Sequence, residues 1–305
     1  VNNLSNYPLS GKSHNFVSLK NEVTGKLTKD KTDNYGFKNS FDWNRESSFD
    51  NIFIGDSFTY GTDVAHGESF AEIVKEKFTS TLNLGCGGTG PIMQLGIFRE
   101  YVKILKPKFV IWNFYSGNDL NSDIPSEYNS YYKNYLKDDF IQNLINKQNE
   151  VDIIHDNFLS NVKLKLKNKK IENKNKENQL KNFYKLRKLR IKLGLQYAFS
   201  PNSLEILEDI LFKVNNETKE WNGEFIFVFI PSPNKYINPF HRNDHDYYYN
   251  NLFKLLKKNN IKVINLDNEL KKFKNPGKFY SGHLNSDGNE LLAKLILEKI
   301  MNLKN

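Results

Sequence analysis

The sequence predicts a three-layer α/β/α sandwich around a mostly parallel sheet of about five strands, with a helical insertion between the third and fourth strands. Two nearly continuous apolar runs, 109–114 and 225–230, are typical of parallel strands that helices cover on both faces. Segments with helical apolar spacing alternate with such runs along much of the chain. Polar residues capable of chemistry follow several predicted strands, where open α/β sheets bind their ligands.

Composition limits the classes of function. The chain has 305 residues and is 38% hydrophobic, enough for one sizeable domain over 1–305. Its single cysteine, Cys86, excludes an internal disulfide framework, and no close Cys/His spacing points to zinc. We therefore expect neither a metal nor an organic cofactor. We attribute the net charge of +9 to a Lys/Asn-rich composition and expect no nucleic-acid partner.

The first predicted structural unit is a strand, a turn and a helix. Residues 1–50 form a polar N-terminal arm that we expect to be irregular. An apolar run ends at Ile54, and helical apolar spacing begins at Phe70. Ser57 therefore lies in a turn at the carboxyl end of a strand, where following backbone N–H groups can point at a developing oxyanion. Alone, this short pattern is weak evidence, and an ordinary turn with a helix-capping serine explains it more often than a nucleophile does.

A glycine-rich turn follows the second predicted strand, 81–84. Four glycines within 85–90 indicate either a backbone that approaches another group closely or a flexible loop, and the sequence leaves both open. A helix is predicted over 92–105. The strand at 109–114 then ends in the polar segment 115–119.

The chain changes character over 120–200, which we interpret as a helical Lys/Asn-rich insertion. Helical apolar spacing occurs at 139–167 and 183–193, while 167–178 is nearly all Lys, Asn and Glu. The insertion could act as a lid or an interaction surface. Basic residues interleaved with Leu and Ile at 184–192 would allow nucleic-acid binding, although a solvated helix face explains them better.

The α/β alternation resumes after the insertion, with a helix at 204–214, then the strand at 225–230 and another strand at 261–266. The aromatic segment 232–249 is expected to be a loop whose histidines, His241 and His245, are explained by surface exposure. A helix is predicted at 249–258. His283 precedes a terminal helix over 291–300, for which Ser286 is a candidate cap.

Four separated blocks in this order resemble those of the SGNH-hydrolase superfamily, also called GDSL esterases. Ser57 in Gly-Asp-Ser-Phe-Thr-Tyr-Gly resembles the first block, and 83–88 the second. Gly-Asn-Asp at 117–119 resembles the third, and His283 in Gly-His-Leu-Asn-Ser-Asp-Gly-Asn the last. Residues 34–37 resemble a variant that is common in bacterial envelope proteins. The resemblance covers about 34–119 and 203–303 and implies a flavodoxin-like fold.

The resemblance implies a role for each matching residue. Ser57 would attack an ester carbonyl, and His283 would take up its proton. The N–H groups of Ser57 and Gly88 and the side-chain amide of Asn118 would hold the oxyanion. The side chains expected to support these groups are Asp56 and Asp119.

One departure from the family pattern concerns the acid that orients the histidine. The family usually carries Asp two or three residues before it, where this chain has Ser281 and Tyr280. A backbone carbonyl could hold His283 in a Ser–His dyad, or a carboxylate could come from elsewhere, such as Asp119 or Asp244. The protein could also be a weak or inactive enzyme. We favour the dyad, because the other blocks are intact.

The sequence thus predicts a serine esterase or O-acyltransferase that acts on ester groups, O-acetyl groups above all, on a small molecule or a glycan. The alternative is a catalytically weak or inactive protein that binds carbohydrate or assists envelope polysaccharide assembly. Because the chain begins with Val1 and not with Met, an upstream signal or anchor could have been removed. A bacterial envelope location is therefore favoured over the cytoplasm, and association with the envelope or membrane through such a segment is conceivable.

Overall fold

The computed structural model describes residues 7–20, 25, 27–169, 201–237 and 239–304. The strands in chain order are β1 (Phe16–Lys20), β2 (Leu27–Lys31), β3 (Asn51–Ile54), β4 (Thr81–Asn83), β5 (Phe109–Tyr115), β6 (Glu224–Ile230), β7 (Lys262–Asn265), β8 (Tyr280–Ser281) and β9 (His283–Leu284).

The α-helices in chain order are α1 (Ser57–Tyr60), α2 (Phe70–Lys77), α3 (Pro91–Ile97), α4 (Lys103–Leu105), α5 (Ile124–Tyr128), α6 (Gln148–Lys169), α7 (Pro201–Lys219), α8 (Asn234–Ile237), α9 (Pro239–Lys258), α10 (Leu266–Leu270) and α11 (Ser286–Lys304). Two π-helical turns, Phe98–Val102 and Asp119–Asp123, and 3-10 turns at Tyr131–Leu136, Leu144–Asn146 and Pro276–Phe279 complete the described elements.

The central sheet is parallel throughout, and its strand order is β4-β3-β5-β6-β7. Counted along the chain within the sheet, this is the 2-1-3-4-5 order of flavodoxin-like folds. The order reverses between β3 and β5, which lie side by side with Ile54 opposite Trp112. A ligand crevice is expected outside the carboxyl ends of these two strands.

Helices cover both faces of the sheet, which confirms the predicted three-layer arrangement. Alternate residues of each strand point to opposite faces and join two separate apolar cores. Trp112 of β5 lies in the core beneath α3, α7 and α9, and Ile111 lies in the core beneath α2 and α11. Both side chains are fully buried, and each such burial stabilises the fold by about 1.5–3 kcal/mol.

The N-terminal arm is more ordered than its polar sequence predicts. β1 and β2 form an antiparallel hairpin in which Phe16 pairs with Lys31. The short strands were missed because the buried positions of β2, Thr28 and Asp30, are polar while Leu27 is exposed, so no apolar alternation marks the strand. Farther along the arm, aromatic side chains pack into the core, namely Tyr35, Phe37, Trp43 and Phe49.

Two predictions around the insertion and the late loop differ from the structure. The helix predicted over 139–167 begins only at Gln148, because the preceding residues form irregular and 3-10 backbone. The predicted loop at 232–249 is mostly helical, since α8 and α9 occupy it. Its Pro residues mark the helix starts and do not exclude helix. The helix predicted at 183–193 lies outside the described residues, as do the side chains of His241 and His245.

Two further observations concern the described residues alone. No helix among them combines the length and apolar character needed to cross a bilayer. In the same part of the chain, no group of three His, Cys, Asp or Glu side chains is placed to hold a metal ion.

Candidate active site

The serine turn is shaped by its own hydrogen bonds. Ser57 is the first residue of α1. It lies just after the carboxyl end of β3, one of the two strands between which the strand order reverses. The Asp56 carboxylate accepts the Phe58 N–H at 2.8 Å and thereby caps this short helix. Gly61 ends the helix with φ 81°, a conformation that favours glycine. The serine hydroxyl is therefore presented at the carboxyl edge of the sheet.

Ser57, His283 and Asp63 form a continuous hydrogen-bonded chain. Ser57 Oγ lies 2.9 Å from His283 Nε2, and Asp63 Oδ2 lies 2.8 Å from His283 Nδ1. The Asp63 side chain is 7% exposed and that of His283 is 26% exposed. An ionised carboxylate only accepts hydrogen bonds, so it selects the tautomer with Nδ1 protonated and leaves Nε2 to accept the serine proton. This arrangement is a Ser–His–Asp triad.

The contact with Asp63 corrects the favoured interpretation of a Ser–His dyad. A carboxylate, and not a backbone carbonyl, faces His283 Nδ1. The alternative acid Asp119 does not fill this place, because its carboxylate accepts the Tyr115 N–H at 2.9 Å instead. The side chain of Asp244, the other alternative, lies outside the described side chains. Asp63 was missed because it lies just after the serine block, 220 positions from His283.

Aromatic rings hold the imidazole in place. The Phe58 ring lies 4.7 Å from the His283 ring, centroid to centroid, and stacks on Tyr115 at 4.1 Å. Tyr115 ends β5, so this stack joins the serine helix to the neighbouring strand. The hydroxyl of Tyr280, which directly precedes the Ser281–His283 turn, donates to the Pro231 carbonyl at 2.7 Å. The histidine is therefore oriented by ring packing as well as by Asp63.

The glycine-rich turn lies against the serine turn. The Cys86 N–H donates to the Gly55 carbonyl at 3.0 Å, and a Cβ on Gly87 would lie 3.9 Å from Ser57 Cβ. A Cβ on Gly85 would meet the Thr59 backbone at 2.6 Å, so close backbone approach explains this glycine. Gly88 has φ 81° with open space beside it. This position next to the nucleophile is compatible with its predicted oxyanion role.

Asn118 also lies at the carboxyl edge of the sheet, in the turn that follows β5. Its backbone carbonyl accepts the N–H of Asp123 at 3.1 Å and so begins the π-helical turn. Its side-chain oxygen is buried and has no hydrogen-bond partner in the structure. The unpaired atom is an acceptor, so the donor role of the Asn118 amide stays a prediction.

The two predicted supporting acids are buried. Burial raises the pKa of Asp56 to about 7, and burial together with the charge of Asp56 raises the pKa of Asp119 well above its usual range. One oxygen of each carboxyl group has no hydrogen-bond partner. Burial therefore disfavours the charged form of both carboxyl groups beside the nucleophile turn.

The N-terminal arm supports the serine helix through two asparagines. The Asn39 side chain accepts the N–H of Asn83 at 3.1 Å and donates to its carbonyl at 2.9 Å, so it pairs with the edge strand β4 as a strand would. The Asn83 side chain donates to the Thr59 carbonyl of α1 at 2.8 Å. The arm is therefore connected to the nucleophile turn by buried hydrogen bonds.

Several solved structures share this fold. They include the lipase/acylhydrolase from Enterococcus faecalis, at 15% identity over 83% of this chain and 95% of that one, with a TM-score of 0.46. A GDSL-like lipase from Bacteroides thetaiotaomicron is similar at 11% identity, over 83% and 88%, with a TM-score of 0.46. The acetyl xylan esterase AlAXEase is similar at 13% identity, over 82% and 98%, with a TM-score of 0.45.

No protein-family model matches the chain, and no curated protein matches it in sequence.

Proposed function

We propose that this chain is a serine esterase or O-acyltransferase of the SGNH type. The observation that carries the proposal is the hydrogen-bonded chain Ser57–His283–Asp63 at the carboxyl edge of a flavodoxin-like sheet. A serine hydroxyl is a weak nucleophile unless a base removes its proton, and this chain of contacts supplies that base and orients it.

The reaction follows from the triad geometry. Ser57 Oγ attacks the ester carbonyl while its proton passes to His283 Nε2 at a starting distance of 2.9 Å. Asp63 stabilises the imidazolium that forms. His283 then donates the proton to the leaving alkoxide, which departs as an alcohol and leaves an acyl group on Ser57. Water or another alcohol gives up a proton to His283 and attacks the acyl-enzyme. The bond between the acyl carbon and Ser57 Oγ then breaks, the acyl group leaves with the acceptor, and His283 returns the proton to Ser57 Oγ.

The oxyanion of each tetrahedral intermediate needs donors in place before the reaction. We propose the N–H groups of Ser57 and Gly88 and the side-chain amide of Asn118. Removal of one such donor typically raises the barrier by about 3 kcal/mol. Asn118 is included on the ground of the sequence resemblance and of its position in the turn that follows β5.

For the acyl group and acceptor, we propose O-acetyl esters, including those on glycans, on the ground of the sequence resemblance. We likewise propose association with the bacterial envelope. Release of acetate from a panel of acetylated oligosaccharides, compared with longer acyl esters, tests the first proposal. Transfer to an added alcohol, measured beside hydrolysis, tells an acyltransferase from an esterase.

The alternative, a catalytically inactive carbohydrate-binding protein, drew its support from the missing acid before the histidine. The Asp63 contact removes that support, because His283 has a carboxylate partner after all.

The test is hydrolysis of p-nitrophenyl acetate together with labelling by a fluorophosphonate probe. Ser57→Ala and His283→Ala should each lose at least about 10³-fold in kcat, and Ser57→Ala should lose labelling. The matched controls are Ser48→Ala and His14→Ala, which change exposed residues of the arm. Absence of both activity and labelling in the native chain would overturn the proposal and favour the binding protein.

A further inference from the structure

The acid and the base of this triad come from distant segments of the chain. Asp63 lies in the loop 61–69, which we name the acid loop, and His283 lies in 282–289, which we name the histidine segment. In a motif with both residues on one loop, the covalent backbone limits their separation. Here, the 2.8 Å contact between Asp63 and His283 depends on noncovalent contacts that join the two segments.

The Asn289 side chain makes three hydrogen bonds at this junction. Its side-chain oxygen accepts the N–H of Phe70, at the end of the acid loop, at 3.0 Å. Its side-chain nitrogen donates to the carbonyls of Leu284 at 2.9 Å and Asn285 at 3.0 Å. The residue is 2% exposed, so solvent cannot replace these bonds. One side chain therefore holds both segments.

Glu68 makes a second connection on the same side. One of its carboxylate oxygens, Oε2, accepts the N–H of Ala65 at 2.9 Å and the hydroxyl of Ser286 at 3.0 Å. Ser286 was a candidate cap for α11, but the Asn285 side chain accepts the Gly288 N–H and fills that place. The Ser286 hydroxyl therefore donates a hydrogen bond to the acid loop and does not cap α11.

The turn before His283 is shaped around Asp63. Gly282 has φ 88°, and a Cβ there would lie 3.1 Å from Asp63 Oδ2. This spacing is tight, so a small displacement of either segment alters the contact between the carboxylate and the imidazole.

We infer that Asn289 is a positioning residue for the triad, with Glu68 and Ser286 as its second support, and that it sets the hydrogen bond between Asp63 and His283. The inference rests on the proposed function and goes beyond it by naming the contacts that substitute for a shared acid–histidine loop. A shift of about 1 Å in such a pair typically costs about 100-fold in rate.

The rival interpretation is a structural role, in which Asn289 only stabilises the packing of α2 against α11. The two interpretations differ in whether the effect of Asn289 passes through Asp63. A double-mutant cycle with Asp63→Asn separates them, because coupling appears only when both residues act on the same contact.

The experiment combines Asn289→Leu, which removes the acceptor and both donors at similar volume, with Asp63→Asn. In the native background, Asn289→Leu should lower kcat about 10- to 100-fold and change KM much less. In the Asp63→Asn background, it should lower kcat less than about twofold. The matched control, Asn215→Leu, removes a buried asparagine of α7 whose side chain donates to the Asn259 carbonyl, and should lower stability only.

A second readout does not require activity. The His283 Nδ1 proton that Asp63 accepts should give a low-field proton resonance, which Asn289→Leu and Asp63→Asn should remove and Asn215→Leu should keep. Ser286→Ala is the milder variant if Asn289→Leu does not fold, and it should weaken the same resonance.

The outcomes separate the inference from the proposed function. An equal loss of kcat in both backgrounds, or a retained resonance in folded Asn289→Leu, would overturn the positioning role alone. A native chain without esterase activity or Ser57 labelling would overturn the proposed function, while loss of the resonance in Asn289→Leu would still show that Asn289 sets the contact.

Discussion

Asp63→Asn is the substitution that tests the triad most directly. An asparagine at this position can donate its side-chain N–H to His283 Nδ1, whereas the carboxylate only accepts. The imidazole would then carry its proton on Nε2, the atom that faces Ser57 Oγ at 2.9 Å. In that tautomer, the histidine cannot accept the serine proton, although the shape of the site is almost unchanged.

The magnitude follows from the geometry of the ion pair that forms in the transition state. The imidazolium would face the carboxylate with 2.8 Å between Nδ1 and Oδ2. At an effective dielectric constant of about 20, the attraction at this distance is about 6 kcal/mol. Desolvation of the Asp63 carboxylate, whose side chain is 7% exposed, offsets part of it. A net loss of about 4–5 kcal/mol corresponds to about 10³- to 10⁴-fold in kcat.

The assay is steady-state hydrolysis of p-nitrophenyl acetate, with the melting temperature measured for each variant. The matched control is Asp287→Asn, which changes an exposed carboxylate four residues after His283. We expect the control to keep native kcat. If folded Asp63→Asn retains kcat within about tenfold of the native value, the orienting role of Asp63 is wrong.

Three further predictions follow from the same contacts. Gly282→Ala should lower kcat about tenfold, because the residue has φ 88° and the new Cβ would lie too close to Asp63 Oδ2. An unchanged kcat in steady-state kinetics would contradict this prediction. The free energy of unfolding should fall as pH rises from about 4 to 7, by up to about 1.4 kcal/mol per pH unit. The reason is that burial raises the pKa of Asp56 to about 7, so in this range the folded chain holds a proton that the unfolded chain releases. Urea unfolding at a series of pH values measures the slope, which Asp56→Asn should reduce. Asn39→Ala should cost about 1–3 kcal/mol of stability, because it leaves the backbone N–H and carbonyl of Asn83 without their side-chain partner. A loss below about 0.5 kcal/mol in thermal unfolding would refute that reasoning.

The candidate site was predictable where a residue sits next to a strand end. Ser57 follows an apolar strand in a Gly-bounded turn, and His283 precedes an amphipathic helix, so both could be selected from local sequence. The structure brings these two side chains within hydrogen-bond distance. The catalytic and oxyanion roles of these residues, of Gly88 and of Asn118 remain predictions for the experiments above.

The acid of the triad and its supports were not predictable in this way. Asp63 has no local signal that separates it from other loop acids, because its partner is 220 positions away. In the sequence, nothing distinguishes Asn289 from other polar residues near the start of a helix, although its side chain joins two distant segments. The arm hairpin was missed for a related reason, since the buried positions of β2 are polar and give no apolar alternation.

The sequence by itself determined the layer architecture. Apolar periodicity is a local property, so the runs at 109–114 and 225–230 indicated buried strands, and helical spacing at 204–214 and 291–300 indicated the covering helices. Only the tertiary structure decided which carboxylate meets the histidine and which side chains hold that pair together. Such contacts depend on distances between segments that the fold brings together, and no local pattern of residue types encodes those distances.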